Sequence, residues 1–163
     1  MNRLLKIIKE SLASVSHSRF YETERGFQAE FIAELKKRIP LLQLEGAIVE
    51  QEYQKRIRAH GINIRPDIII HVPFEERHHD SRRQGNFVVF ELKLNADKKK
   101  ALSAYENLSK ICEVLEYPLG VFINSNNIST HLNRYHGPHK ESLCAFAVRL
   151  HDDRVEVKHD YPI

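Results

Sequence analysis

The spacing of apolar side chains along the chain predicts three helices and six strands. Leu4, Ile8, Leu12 and Val15 recur at helical intervals in the first fifteen residues, which predicts an amphipathic helix. Phe27, Phe31, Leu35 and Ile39 step by four, with Ile32 beside them. They mark a second helix from Thr23 or Glu24 to about Arg38, stopped by Pro40. Residues 46–56 and 65–73 read as strands through their β-branched content, and residues 86–94, NFVVFELKL, as a third. Their connections are too short for a parallel crossover, so an antiparallel meander is expected.

Ala101, Leu102, Tyr105, Leu108, Cys112 and Leu115 recur at three and four between Asp97 and Tyr117, which predicts a third helix ended by Pro118. The almost wholly apolar LGVFIN at 119–124 suits a strand buried on both faces of a mixed sheet. Residues 125–142 are polar and turn-rich, and a mobile connection is expected there. Cys144, Phe146, Val148 and Leu150 then alternate toward one side, and RVEVKHD follows a turn as the partner of a C-terminal β-hairpin. The order predicts an α/β fold with a mixed sheet in one domain spanning 1–163, with no internal repeat or low-complexity tract to mark a boundary.

Composition narrows the function classes. A chain of 163 residues with 42% hydrophobic and 29% charged side chains can bury one core. Lys6, Lys9 and Glu10 interrupt any signal-peptide core, and no apolar run approaches the ~18 residues of a membrane span. Neither a membrane nor secretion is therefore expected. Cys112 and Cys144 sit in apolar patterns outside any CxxC pair, as buried thiols of a reduced, cytoplasmic protein would. Twenty-five Lys and Arg against 22 Asp and Glu give a formal charge of +3. That excess proves no nucleic-acid partner, but its distribution is uneven. Lys55, Arg56, Arg58 and Arg65 cluster early, Arg82 and Arg83 precede Lys93, and Lys98, Lys99 and Lys100 follow it.

The chemistry concentrates in Pro66-Asp67 and Glu91-Leu92-Lys93, with Glu30 on the preceding helix. Residues two apart on a strand face the same way, so Glu91 and Lys93 project together while Phe90, Leu92 and Leu94 face the opposite side. A meander brings Asp67 beside them. Two carboxylates and a lysine on otherwise apolar strands are costly unless compensated, and a divalent metal compensates. Asp67, Glu91 and the backbone carbonyl of Leu92 offer hard oxygens to Mg²⁺, which accepts a sparse site and keeps several waters. Such an ion polarises a phosphate and lowers the pKa of water, while Lys93 supplies a cation beside the attack.

Pro66-Asp67 followed by Glu91-Leu92-Lys93 resembles the signature of the PD-(D/E)XK nucleases, and the predicted element order is similar to their restriction-endonuclease-like α-β-β-β-α-β core. The likeness spans roughly residues 20–125. It implies an endonuclease-type, Mg²⁺-dependent hydrolase of nucleic-acid phosphodiesters, usually DNA, with Mn²⁺ able to substitute. Asp67 and Glu91 would be metal ligands, Lys93 the catalytic lysine, and Glu30 the helix acid that reaches the metal directly or through water. Arg82, Arg83, Lys98 and Lys99 would contact phosphates. Related enzymes often carry a polar, basic or tyrosine residue on the later helix, which would make Tyr105 a phosphate contact, but no matching glutamine precedes it and a core tyrosine in an apolar stripe explains it better.

Other residues have ordinary explanations. Glu50 and Glu52 share a face of the first strand and suit solvent as well as a second metal. Asn95 could orient water or simply end its strand, and His71 shares the face of Asp67. His78, His79, His136 and His139 make a poor zinc set, because adjacent histidines diverge and no cysteine lies near. Cleavage of two strands usually needs two active sites, which fits a homodimer, although no segment reads as a definite interface. The competing readings are a catalytically inactive nucleic-acid-binding or assembly module on the same fold, and a protein-interaction domain using neither metal nor nucleic acid.

Overall fold

A computed structural model describes residues 2–51, 63–73 and 85–161. It contains a six-stranded sheet in the order β1-β2-β3-β4-β5-β6, with β1 Ile48–Gln51, β2 Ile68–His71, β3 Asn86–Leu94, β4 Gly120–Ser125, β5 Leu143–His151 and β6 Arg154–Asp160. The first three strands form the expected antiparallel meander, β3, β4 and β5 run parallel, and β6 returns antiparallel to β5 as a hairpin.

Helices cover both faces. α1 (Asn2–Ala13) and α2 (Glu24–Arg38) lie on one, and α3 (Lys98–Leu115) fills the crossover between β3 and β4 on the other. The predicted stripes are what they bury. Ile8, Leu12, Val15, Phe27, Phe31 and Leu35 are fully enclosed with Phe90, Leu92 and Phe146 beneath α1 and α2. Tyr105, Leu108 and Leu115 pack with Val89 and Phe122 beneath α3. Thr23 caps α2 by accepting the Gly26 N–H at 3.0 Å, and Asp97 caps α3 by accepting the Lys100 N–H at 2.8 Å. Pro40 ends α2 as expected, after which the chain tightens into a 3₁₀ turn over Ile39–Leu42.

The connection after β4 departs from its expectation. Although polar, residues 126–142 are tied down, because Leu132 and Tyr135 are buried in the α3-side core. Asn124, fully enclosed, binds both the N–H and the C=O of Ala96 at 2.7 and 3.0 Å and donates to Ser129 O at 2.9 Å. Cys112 and Cys144 are buried free thiols, and burial raises the Cys112 pKa to about 12. No helix among the described residues is long and apolar enough to cross a membrane.

Gly120 opens β4 beneath Leu108 and Cys112 of α3. A Cβ there would lie 2.7 Å from Leu143 Cδ2 and 3.1 Å from Cys112 Sγ. Gly120→Ala should cost about 1–3 kcal/mol through overpacking, read as a lower urea midpoint at unchanged slope. An unshifted midpoint would mean that the Leu143 and Cys112 side chains yield freely.

Candidate active site

The site forms where β2 stops and β3 continues. The ladder between them ends with the Asp67 N–H donating to Phe90 O at 3.2 Å. Two residues further along β3, the Leu92 N–H would face an empty edge, and the Asp67 carboxylate accepts it at 2.7 Å. The next outward donor, Leu94 N–H, is accepted by Glu24 at 3.1 Å, from the first turn of α2. Gln28, one turn along the same helix, donates to Asp67 O at 3.0 Å. Side chains thus replace a missing strand, and their carboxylates converge because the backbone needs acceptors there.

Asp67 shares its face with Ile69, and Glu91 and Lys93 share theirs with Val89. Ile69 and Val89 both pack beneath α3. The three predicted residues therefore sit on one side of the sheet. The Lys93 ammonium lies 2.7 Å from Leu92 O, 3.1 Å from Glu91 Oε1, and 3.8 Å from both Asp67 Oδ2 and Glu24 Oε1. It stands among the oxygens expected to hold a cation. Glu91 is 6% exposed, and its Oε2 has no hydrogen-bond partner among the described residues.

Burial, then the nearby Asp67 charge, raises the Glu91 pKa to about 7, with Glu24 adding to the shift and Lys93 opposing it. For Lys93, burial disfavours the charged form, but the combined fields of Glu91, Asp67 and Glu24 outweigh it and lift the pKa above its ordinary value.

No known family model matches the sequence, nor does any curated protein sequence. The fold is a different matter. The cAAA-bound form of NucC from E. coli MS115-1, a protein of the PD-(D/E)XK nuclease superfamily, superposes with a TM-score of 0.52 over 98% of this chain and 81% of that one, at 10% identity. The chain has the restriction-endonuclease-like fold.

Within this restriction-endonuclease-like fold, several expectations change. The acid that α2 delivers is Glu24, not Glu30. Glu30 lies six residues on, about 9 Å along the axis and about 120° around the helix, and no described interaction joins it to Asp67, Glu91 or Lys93. Tyr105 is fully enclosed, donates its hydroxyl to Thr130 O at 2.6 Å and packs edge-on against Phe122. It belongs to the core and is not a phosphate contact. Lys98 and Lys99 are exposed in the first turn of α3. Arg82 and Arg83 lie outside the described residues, as do Lys55, Arg56, Arg58, Glu52, His78 and His79.

His71 is buried and pairs with Glu50 at 2.6 Å, four strand positions from Asp67, or about 13 Å. Asn95 adopts a left-handed turn with φ 48° and accepts from Asn127 at 2.9 Å, so it ends its strand. Sequence reasoning missed Glu24, Gln28 and Asn124. Thr23 as an N-cap, which places Glu24 in the first turn, was the available signal for Glu24.

Among the described residues, no three His, Cys, Asp or Glu side chains form a ready-made metal cage. The donors nevertheless fit a divalent ion. Glu91 Oε2 is an orphaned buried oxygen, and the Lys93 ammonium occupies a position bounded by carboxylates and a carbonyl, as a hard cation's would be.

The Glu91 shift makes a solution prediction. Between its ordinary value of 4.5 and about 7, the folded protein holds a proton on Glu91 that the unfolded chain has released. Stability of the metal-free protein should therefore fall as pH rises through that window. Glu91→Gln should remove that part of the slope and be the more stable form at pH 8, by a few kcal/mol. Chemical denaturation at pH 5 and pH 8 reads the difference, and parallel pH profiles would refute the buried-acid assignment.

Proposed function

We propose that the protein is a divalent-metal-dependent nuclease hydrolysing phosphodiester bonds of nucleic acid, most naturally DNA. The supporting observation is the position of the Lys93 ammonium among Asp67, Glu91, Glu24 and the Leu92 carbonyl. Those four oxygen donors would hold Mg²⁺ or Mn²⁺, and the likeness to a superfamily nuclease gives the fold a precedent for that chemistry. The ion supplies Lewis-acid polarisation of the phosphate and a lowered pKa for water.

The chain's own groups have distinct tasks. Asp67 and Glu24 are held in place by the Leu92 and Leu94 N–H groups, which orients their carboxylates toward the ion. Glu91 must give up its proton to bind a cation, so loading should release protons near neutral pH. Lys93 stays charged in this carboxylate field, which suits it to offset negative charge developing on phosphate rather than to act as a base. Lys98 and Lys99, exposed in the first turn of α3, would meet the phosphate backbone without reading sequence.

Purified protein should cleave plasmid with Mg²⁺ or Mn²⁺, and EDTA should abolish cleavage. Glu91→Ala and Lys93→Ala should each lose at least about 100-fold in rate. Undiminished activity in both variants would assign the cleavage elsewhere. Glu24→Gln should raise the Mg²⁺ concentration needed, whereas Glu30→Gln should not. Tight, salt-sensitive binding with no cleavage under any divalent ion would favour the inactive binding module.

The lysine contacts are tested separately. If Lys98 and Lys99 each neutralise one phosphate, replacing both with alanine should flatten the slope of log affinity against log salt by about 0.9 per residue. An unchanged slope would place DNA elsewhere.

A further inference from the structure

β6 forms an outer edge of the sheet, seven residues long, regularly paired to β5 with no register shift, and free of proline. Among the described residues no strand covers its other side. Such an edge is a template for another strand unless something guards it. The direction of its backbone groups follows from β5. Asn127 N–H, beyond the end of β4, donates to Val148 O at 3.3 Å, so the peptide groups of Val148 face β4. Val148 pairs with Val157, and in an antiparallel ladder the peptide groups of a facing pair point both inward or both outward. Those of Val157 therefore point out, as do those of Val155 and His159.

The side chains have a palindromic charge order. Arg154, Glu156, Lys158 and Asp160 occupy one face, exposed, while Val155 and Val157 are half-buried on the other against the core beneath α1. Laid antiparallel against a copy of itself with Val157 on the axis, the strand sets Arg154 opposite Asp160 and Glu156 opposite Lys158, each twice. Moving the axis to residue 156 would oppose Arg154 with Lys158, and moving it to 158 would oppose Glu156 with Asp160. A strand guarded by charge repulsion would not match itself in the register that uses its full length.

We propose that β6 is a self-complementary edge on which a second copy of this chain docks antiparallel about a two-fold axis at Val157, continuing one sheet into the next. Three facing pairs, Val155 with His159, Val157 with Val157 and His159 with Val155, exchange two backbone hydrogen bonds each. The half-buried valines gain cover, and the four cross-strand ion pairs set register. Arg154 and Lys158 have no ion pair within the described chain, which leaves both available. Glu156 already holds Arg149 at 2.8 Å, and Asp160 accepts from Thr130, so both acids are oriented before a partner arrives. This interface does not rest on the nuclease reading, and its test uses no activity.

Sedimentation equilibrium of the full chain should show a dimer. Lys158→Glu and Glu156→Lys should each weaken it roughly 10-fold or more, because attraction becomes repulsion on both sides of the axis. An equimolar mixture of the two variants should dimerise again, each supplying the charges that the other lacks. Val157→Pro should also dissociate the dimer, since it removes an outward N–H and leaves the β5 ladder intact. Circular dichroism would show that the variants remain folded, and the exposed charge variants carry the test should the proline variant not fold. A monomer at the highest soluble concentration, a dimer indifferent to these changes, or a mixture that stays monomeric would overturn the proposal.

Discussion

The site depends on a mismatch in strand length. β3 extends past the end of β2, and the N–H groups of Leu92 and Leu94 need acceptors that no strand among the described residues provides. Leaving a buried donor unpaired costs about 1–3 kcal/mol, which Asp67 and Glu24 avoid by accepting from the backbone. Satisfying the backbone gathers negative charge in one place. Glu91 adds to it from the same face of β3, and the Lys93 ammonium answers it. The side chains that satisfy one strand end are the same ones that the proposed phosphate-cleaving centre would need as oxygen donors.

The surroundings hold that arrangement from both sides. α2 is located against the sheet by Phe27 and Phe31, and its Gln28 grips the Asp67 carbonyl. Across β3, Asn124 locks Ala96, so the turn from β3 into α3 is fixed by a buried amide rather than by packing alone. An apolar residue at 124 would leave the buried Ala96 N–H unpaired and its C=O with only the 3.5 Å bond from Asn127, which explains the asparagine in an otherwise apolar strand.

Much of this was legible in the sequence because it depends on periodicity. The four-residue steps of Phe27, Phe31 and Leu35 and the alternation around Glu91 and Lys93 specify faces, and faces specify which side chains meet. The parts that were not legible depend on relative placement. Glu24 and Glu30 are chemically alike on one helix, and only the seating of the first turn of α2 beside Leu94 selects the first. Tyr105 satisfies an apolar stripe and a site-facing helix equally well until the loop carrying Thr130 is seen to cover it. Polarity likewise suggested mobility for 125–142, whereas two side chains, Leu132 and Tyr135, tie that segment down.

The parallel pairing of β3 with β4 has a consequence for biosynthesis. Every donor in the cluster, from Glu24 to Lys93, is translated before the strand that covers the far edge of β3. At about 5–20 residues per second the intervening stretch takes roughly 1–5 seconds to emerge. During that interval Phe87 to Leu94 would present an uncapped, largely apolar edge outside the ribosome. Slower elongation through α3 would lengthen the exposure, and a chaperone that shields nascent strands would matter most at this stage of synthesis.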